Sequence, residues 1–312
     1  MLRIAIIAGM GLAISISGAQ ASLRSPGVEG RGMDAWMQPP AAPAEEEDAE
    51  ALESRGILHQ LGLTVPRDHA EAVRLYRQAA DRGRPSAQYL LGMMYEAGNG
   101  VARDPAEAFR LFRLAAERGD PSASFKVGLR YDKGQGVAQD HAEAARWYRG
   151  GAERGNVDAQ FNLANLHYHG LGVAQDYASA LHWFGQAAER GDASAQFNIG
   201  LMHEYGQGAP VDPARAAAWY ARAADAGNAC AQVNLGALYD EGRGVAQDHA
   251  RAYQWFAAAA INSSDPECRR QGAGNRDRVA ARLTEEQMAV AQRLVQEWTH
   301  RHQAANLPTS RL

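Results

Sequence analysis

The sequence predicts an all-α protein, a solenoid of about six helix-turn-helix repeats of 36 residues with a C-terminal helical cap. Three series of residues indicate this architecture because each recurs at an interval of 36 positions. The aspartates are Asp68, Asp104, Asp140, Asp176, Asp212 and Asp248. A glycine series runs from Gly62 to Gly242 and an alanine series from Ala72 to Ala252. A fixed period of about 20 to 50 residues is typical of stacked supersecondary units.

The first helix of each unit, helix A, is indicated by apolar residues four positions apart. Ala87, Leu91 and Tyr95 fall on one face at i, i+4 and i+8. Gly98 ends this helix, because glycine readily adopts the left-handed conformation that follows a helix. The units predicted in this register are 51–86, 87–122, 123–158, 159–194, 195–230 and 231–266.

The second helix, helix B, is predicted to begin at the recurring aspartate. Asp104 is the expected N-cap, with Pro105 at the first helical position and Glu107 closing a capping box. The apolar residues that follow form one buried stripe, consisting of Ala108, Leu111, Phe112, Ala115 and Ala116. Because one hairpin cannot bury such a stripe alone, neighbouring units must stack.

The N-terminal residues predict export. Arg3 precedes an apolar run at 4–16, and a small-x-small cleavage site follows at 19–21. Residues 1–21 are therefore a predicted signal peptide, which places the mature protein in the periplasm or outside the cell. Residues 22–50, rich in proline and acidic residues, are a predicted disordered linker.

After the sixth unit the repeat fades into a predicted cap at 267–302. We expect one cap helix from Arg276 to Leu283. A second is expected from Glu285 to about His302, with Thr284 as its N-cap. The cap covers the open end of the stack, and residues 303–312 are a predicted frayed tail.

Composition excludes several classes of protein. The 32 basic and 36 acidic side chains give a net charge of −4, which argues against a nucleic-acid binder with a broad basic surface. A mean hydropathy of −0.42 argues against a polytopic membrane protein, and we expect no membrane span after signal cleavage. Two cysteines are too few for a disulfide-rich scaffold or a four-cysteine zinc site.

The repeat resembles the Sel1-like repeat, a relative of the tetratricopeptide repeat. Its motif residues in unit six are Ala231, Leu235, Gly236, Tyr239, Gly242, Gly244, Val245, Asp248, Ala252, Trp255, Ala259 and Ala260. Unit one departs from the motif at Thr64 and unit four at Ala164, each of which replaces a glycine. The resemblance implies a right-handed α/α superhelix whose A helices line the concave side, and a role as a protein-binding adaptor.

An enzyme is not expected, although the resemblance carries an association with β-lactamase activity. The serine enzymes use Ser-x-x-Lys, but Ala123 and Arg130 stand three positions before the two lysines, Lys126 and Lys133. A hydrolase acting on β-lactam or peptidoglycan therefore stays an alternative by family association alone. We expect no cofactor.

No metal site is expected from the ten histidines. His59, His167 and His203 occupy the helix A position that tyrosine holds in other units, so they are interpreted as packing substitutions. His167 and His169 beside His203 are the alternative ligand set, but equivalent residues on neighbouring helices start about 10 Å apart.

Cys230 and Cys268 are a candidate disulfide. They lie 38 residues apart, near the starts of neighbouring A-like helices. In an oxidising compartment a bond between them would staple the cap to the last repeat. The alternative is a pair of buried or free thiols.

The predicted partner site is a stripe along the A helices, at the positions of Leu90, Met93 and Ala97 in every unit. We call these positions in units two to six the A stripe. Its candidate contacts for a partner, with Arg130 beside it, are Lys126, Arg130, Lys133, Asn162, Asn165, Asn198, Leu201, Tyr205 and Asn234. Lys126, Arg130 and Lys133 are expected to form one basic spot beside the asparagines. An asparagine amide both donates and accepts, so it can hold a peptide backbone. The alternative is that these asparagines bond to the next repeat.

The expected partner is an extended or helical segment of another protein, and the chain is expected to be a monomer. A weaker alternative is a polysaccharide bound by the aromatic series Tyr89, Phe125, Phe161 and Phe197. Those rings recur every 36 residues, which favours core packing instead.

Overall fold

Two helices and two turns make up each repeat in the computed structural model, which describes residues 48–262 and 265–305. The A helices are α1 (Ala49–Leu61), α3 (Pro85–Ala97), α5 (Pro121–Lys133), α7 (Val157–His169), α9 (Ala193–Tyr205) and α11 (Ala229–Glu241). The B helices are α2 (His69–Asp81), α4 (Pro105–Glu117), α6 (His141–Glu153), α8 (Tyr177–Glu189), α10 (Pro213–Asp225) and α12 (His249–Asn262). The cap consists of α13 (Pro266–Ala280) and α14 (Glu285–Ala305). The described residues form no strand, so the predicted all-α solenoid of six repeats is confirmed.

Each helix A ends at a glycine in the left-handed conformation, as predicted. Gly98 has a φ of +74° and donates its backbone N–H to the carbonyl of Met94. The second glycine of the turn is required by a close approach to the preceding unit. A Cβ on Gly100 would lie 2.3 Å from the carbonyl carbon and oxygen of His69. The turn therefore seats directly on the first residues of the previous helix B.

Each helix B from α2 to α10 is capped by its aspartate, but the predicted capping box is wrong. The carboxylate of Asp104 accepts from the N–H groups of Ala106 and Glu107 at 3.0 Å. The N–H of Asp104 is already donated to the carbonyl of Tyr95. Glu107 instead pairs with Arg110, at 2.8 Å through both guanidinium nitrogens.

In every unit except the fourth, which carries Ala164, the two helices interlock through a glycine on helix A and an aromatic ring on helix B. The ring of Phe112 lies over Gly92, and the ring of Tyr220 lies over Gly200. An added Cβ would stand within 2.7 Å of the ring in the first pair and 2.5 Å in the second. Both rings are fully buried, so the missing side chain sets how closely the helices approach.

Several predicted boundaries need correction. Helix α3 begins at Pro85 rather than Ala87. Proline suits the first helical position because it has no N–H group, and an N–H at that position would find no acceptor within the helix. Helix α1 includes Ala49 and Glu50, which the predicted linker 22–50 contained. The predicted signal peptide 1–21 and the rest of that linker up to residue 47 lie outside the described residues.

The first helix of the cap starts earlier than predicted, although the cap as a whole begins within one residue of the predicted position 267. Helix α13 begins at Pro266, capped by Asp265, ten positions before the expected start at Arg276. Helix α14 continues to Ala305, so residues 303–305 are helical and not a frayed tail; residues 306–312 lie outside the described part. The capping box of Thr284 and Gln287 is present, with bonds of 3.0 and 3.2 Å.

Candidate partner-binding surface

The A stripe is partly open to solvent in every unit. Its first two positions are partly buried in units two to six. Its third position is exposed throughout, at Ala97, Lys133, His169, Tyr205 and Glu241. On the neighbouring face of α3, Leu91 is 4% exposed, whereas Tyr95 is partly buried like the first two stripe positions.

Helix α9 presents the largest apolar side chain of the stripe. Asn198, Leu201 and Tyr205 follow one another at i, i+3 and i+7, so they share one helix face. Tyr205 is 65% exposed, while Asn198 and Leu201 are partly buried. A tyrosine with this exposure offers apolar contact area and a hydrogen-bonding hydroxyl to a partner.

The asparagine series is less uniform than its spacing suggested. Asn162 and Asn198 donate Nδ2 hydrogens to their own helices, to the carbonyls of Asp158 at 2.7 Å and Ser194 at 2.8 Å. Asn234 lies beside the hydroxyl of Tyr220 in the preceding unit and acts to lower its pKa, while that hydroxyl donates to Glu204. Within the described part of the chain, Asn162 and Asn198 thus donate to their own helices and not, as the alternative expected, to the next repeat, and the contact of Asn234 is with the preceding one. Asn165, one turn beyond Asn162, is partly buried.

The expected basic spot is largely neutralised. Lys126 and Arg130 both pair with the carboxylate of Glu96, each at 2.9 Å, and their side chains are 16% and 11% exposed. Lys133 pairs with Asp132 at 2.9 Å. The structure therefore corrects the prediction of a basic surface beside the asparagines, because acidic residues on α3 and α5 already balance those charges.

Sequence reasoning missed a series of acidic residues on the A helices. Its members stand 36 or 72 positions apart and are Glu96, Asp132, Glu204 and Asp240. Each receives a cross-helix partner: Glu204 accepts from the hydroxyl of Tyr220 at 2.6 Å and from Arg243 at 2.8 Å. The spacing alone could have revealed this series, because a polar residue at a fixed repeat position indicates a recurring contact.

The aromatic series proposed as a sugar platform is part of the core. Tyr89 packs against Phe112 with ring centres 5.7 Å apart. The pairs Phe125–Tyr148, Phe161–Phe184 and Phe197–Tyr220 have centre distances of 6.0, 5.5 and 5.8 Å. These contacts agree with the packing interpretation.

The repeated histidines also pack against neighbouring helices. His203 is 7% exposed, and the Nδ1 atoms of His59, His167 and His203 are buried without a hydrogen-bond partner among the described residues. Burial lowers the pKa of His167 and of His203, and Arg149 and Arg215 respectively lower it further. Because the lowered pKa favours the neutral imidazole, these two histidines suit a packing role.

The two cysteines are joined in the structure. Cys230 at the start of α11 and Cys268 at the start of α13 form a disulfide with Cα atoms 5.2 Å apart. With Asp265 they are the one cluster of three metal-ligand side chains in the described part of the chain. Because the two sulfurs bond to each other, the cluster is explained by the disulfide.

None of the described helices has the length and apolar character needed to span a bilayer.

Comparison with known proteins agrees with the repeat architecture. The model of the Sel1 repeat matches residues 49–83, 85–120, 121–156, 157–192, 193–228 and 231–264. These ranges begin about two positions before the predicted units 51–86 to 195–230, in keeping with the earlier helix starts. No curated protein matches the chain.

Two solved structures are similar in sequence and fold. A Sel1 repeat protein from Oxalobacter formigenes is 35% identical, with a TM-score of 0.62, over 70% of this chain and 90% of that one. A protective antigen present in uropathogenic Escherichia coli strains, which displays an SLR fold, is 30% identical with a TM-score of 0.54. That match covers 86% of this chain and 66% of the antigen, so this chain spans about two thirds of its length. Sel1 repeat solenoids are generally non-enzymatic scaffolds for protein–protein interaction, and this chain belongs to the Sel1 repeat family.

Proposed function

We propose that this protein is an exported scaffold that binds a segment of a partner protein along the A stripe. The observation that carries the proposal is the face of α9, where Tyr205 is 65% exposed beside Leu201 and Asn198. Exposed aromatic residues flanked by polar groups are typical anchors of protein interfaces. The Oδ1 atoms of Asn162 and Asn198, whose amide nitrogens bond to their own helices, are placed to accept N–H groups of a partner backbone.

The proposed groove lies on the concave side of the solenoid. This placement rests on the family resemblance, in which the A helices line the inner side of the stack; α5 contacts α7 directly. The A helices would then surround a partner segment. The whole groove would lie on a single chain, so the protein would bind its partner as a monomer. We expect no nucleic acid among the partners, since the basic residues nearest the stripe are paired.

Export is the second part of the proposal. The apolar run at 4–16 and the small residues at 19–21 support a cleaved signal peptide. The bond between Cys230 and Cys268 suits an oxidising compartment such as the periplasm or the extracellular space. N-terminal sequencing of the native protein tests this, with Ser22 as the expected first residue; an N-terminus at Met1 would contradict it.

Site-specific photo-crosslinking tests the binding surface. A photoreactive residue at Asn198 or Tyr205 is compared with one at Arg222, which lies exposed on α10 with its guanidinium 4.4 Å from the ring of Trp219. We expect one protein to be captured from the native envelope at the two stripe positions and not at Arg222.

Substitutions on the stripe distinguish specific binding from chance contact. Tyr205→Ala, and the triple change Asn162→Ala, Asn198→Ala and Asn234→Ala, should each weaken binding of the captured protein. Equal capture at Arg222, or unchanged affinity in both variants, would refute the A stripe as the binding surface.

A further inference from the structure

A second candidate site lies away from the A stripe, in a pocket between α2, α3 and α4. Its volume is about 360 Å³, which falls in the lower range of small-molecule sites. Leu91, Leu111 and Leu114 form apolar walls, and charged side chains from α2 and α4 surround the opening. We call it the unit-two pocket.

The pocket lies beside a helix B position at which the first two repeats lack a tryptophan that the later four possess. At one position of helix B, units one and two carry leucine, Leu75 and Leu111. The same position is Trp147, Trp183, Trp219 and Trp255 in units three to six. Leucine is much smaller than an indole, and Leu111 lines the pocket. The space that an indole would occupy is therefore open between α2 and α4.

A buried polar atom faces this space without a partner. Gln88 is 1% exposed, and its Nε2 donates to the carbonyl of Ala80 at 3.1 Å. Its Oε1 is buried and accepts no hydrogen bond from the described residues, although a buried acceptor costs free energy when it is unpaired. In unit four the equivalent atom, Oε1 of Gln160, accepts from Nη1 of Arg190 at 3.1 Å.

The pocket also holds two charged groups that are unpaired within the part of the chain the structure describes. Arg118 is the repeat equivalent of Arg190 and lies against Gly83 as Arg190 lies against Gly155, with guanidinium nitrogens 2.9 and 3.2 Å from the position of an added Cβ. Unlike Arg190, it makes no hydrogen bond to the glutamine of its unit in the described structure. Asp81 supplies a carboxylate to the same pocket. Of the other charged groups that line the pocket, Arg110 pairs with Glu107, and Arg77 donates to the hydroxyl of Tyr95 at 2.8 Å.

We propose that the unit-two pocket binds a free α-amino acid with an apolar side chain. The ligand carboxylate pairs with Arg118, and its ammonium group donates to Asp81 and to Oε1 of Gln88. Its side chain packs against Leu111, in the space that tryptophan fills in later repeats. A simple anion would leave Gln88 and Asp81 unpaired, and a simple cation would leave Arg118 unpaired, so the three groups together select a zwitterion. This site is independent of the proposed A-stripe function.

Ligand titration of the purified full chain by calorimetry or methyl NMR tests the proposal. The probes are leucine, isoleucine, valine, methionine and phenylalanine, each up to about 10 mM. We expect saturable binding of at least one. For leucine, 4-methylpentanoate lacks the ammonium group and 3-methylbutylamine lacks the carboxylate, and each should bind at least about tenfold more weakly; corresponding analogues serve for the other side chains.

Two variants localise the binding. Leu111→Trp installs the residue of the later units and should abolish binding while the helical circular dichroism is kept. Gln88→Leu should weaken binding about tenfold. The matched control is Gln196→Leu, which removes an equally unpaired buried Oε1 in a unit that carries Trp219; it should leave binding unchanged.

Three outcomes would overturn the proposal. One is no binding of any of the five amino acids at about 10 mM. Another is undiminished binding by a folded Leu111→Trp variant. The third is equal affinity for the amino acid and its N-acetyl derivative, since that would show that the pocket reads a peptide C-terminus rather than a free amino acid.

Discussion

Nη1 of Arg190 lies 3.1 Å from the buried Oε1 of Gln160, thirty residues earlier in the chain. The same glutamine donates through Nε2 to the carbonyl of Ala152 at 3.0 Å. The side chain of Gln160 on α7 thus bonds both to the end of α6 and to the residue that follows α8. In unit five Ala226 stands where Arg190 would be, so Gln196 keeps only the bond to the carbonyl of Ala188.

This difference predicts unequal effects of one substitution at two repeat positions. Gln160→Leu removes two hydrogen bonds and should lower the free energy of unfolding by about 1–3 kcal/mol. Gln196→Leu removes one bond and an unpaired buried acceptor, so its loss should be about 1 kcal/mol smaller. Urea unfolding followed by circular dichroism measures both, and equal losses would show that the bond to Arg190 adds no stability.

Gly200 should be required because the ring of Tyr220 covers it closely, although unit four carries Ala164 at the same repeat position. Gly200→Ala places a Cβ 2.5 Å from two ring carbons of Tyr220 and should destabilise the protein by about 1–3 kcal/mol. Gly185→Ala on α8 meets no atom within 4 Å and should stabilise it by about 0.5–1 kcal/mol. Thermal unfolding distinguishes the two, and a stabilising Gly200→Ala would contradict the packing argument.

The features that the sequence predicted correctly are those that one repeat determines locally. Gly98 ends a helix and Asp104 begins one because backbone conformation and capping depend on a few adjacent residues. The start of α3 was misplaced because the prediction began the unit at an alanine of the motif and ignored Pro85. The predicted capping box failed because the N–H of Asp104 reaches the carbonyl of Tyr95 across the turn.

Contacts between units were harder to predict because they depend on how closely neighbouring helices approach. Lys126 and Arg130 looked like a free basic pair, and only the position of Glu96 on α3 shows that they are balanced. The unpaired Oε1 of Gln88 likewise depends on where Arg118 lies. Neither relationship is encoded in the spacing of one residue type.

Glu96 should contribute to stability by holding two cations. Glu96→Gln keeps the side-chain shape but leaves Lys126 and Arg130, both largely buried, without a carboxylate. We expect a loss of about 1–2 kcal/mol in unfolding free energy. The control is Glu117→Gln, which breaks an exposed pair with Arg113 and should cost less than about 0.5 kcal/mol. Equal losses in urea unfolding would rule out a special role for Glu96.

Acid should destabilise the protein partly through two histidines. Because burial lowers the pKa of His167 and of His203, the folded state holds them neutral while the unfolded chain takes up protons below about pH 6.5. Their contribution to stability is therefore present above that pH and is lost as pH falls toward the lowered values.

The double variant His167→Tyr and His203→Tyr isolates this contribution, since tyrosine occupies the same position at Tyr95. Its melting temperature should fall less than that of the wild type between about pH 7.5 and 5.5. His300→Tyr, at an exposed position of α14, serves as the control and should keep the wild-type profile. Identical profiles for all three proteins would exclude the two buried histidines as the cause.

The disulfide should matter most for the cap. It closes a segment of 38 residues, and in the chain-entropy view its removal costs about 3–4 kcal/mol. In the double variant Cys230→Ala and Cys268→Ala, hydrogen exchange should accelerate in α13, whose start the bond fastens to α11, and change little in α3. Dithiothreitol should have the same effect on the wild type and none on the double variant. Unchanged exchange in α13 after confirmed reduction would mean that packing of Val279 and Trp298, which are almost fully buried, is sufficient to hold the cap on the last repeat.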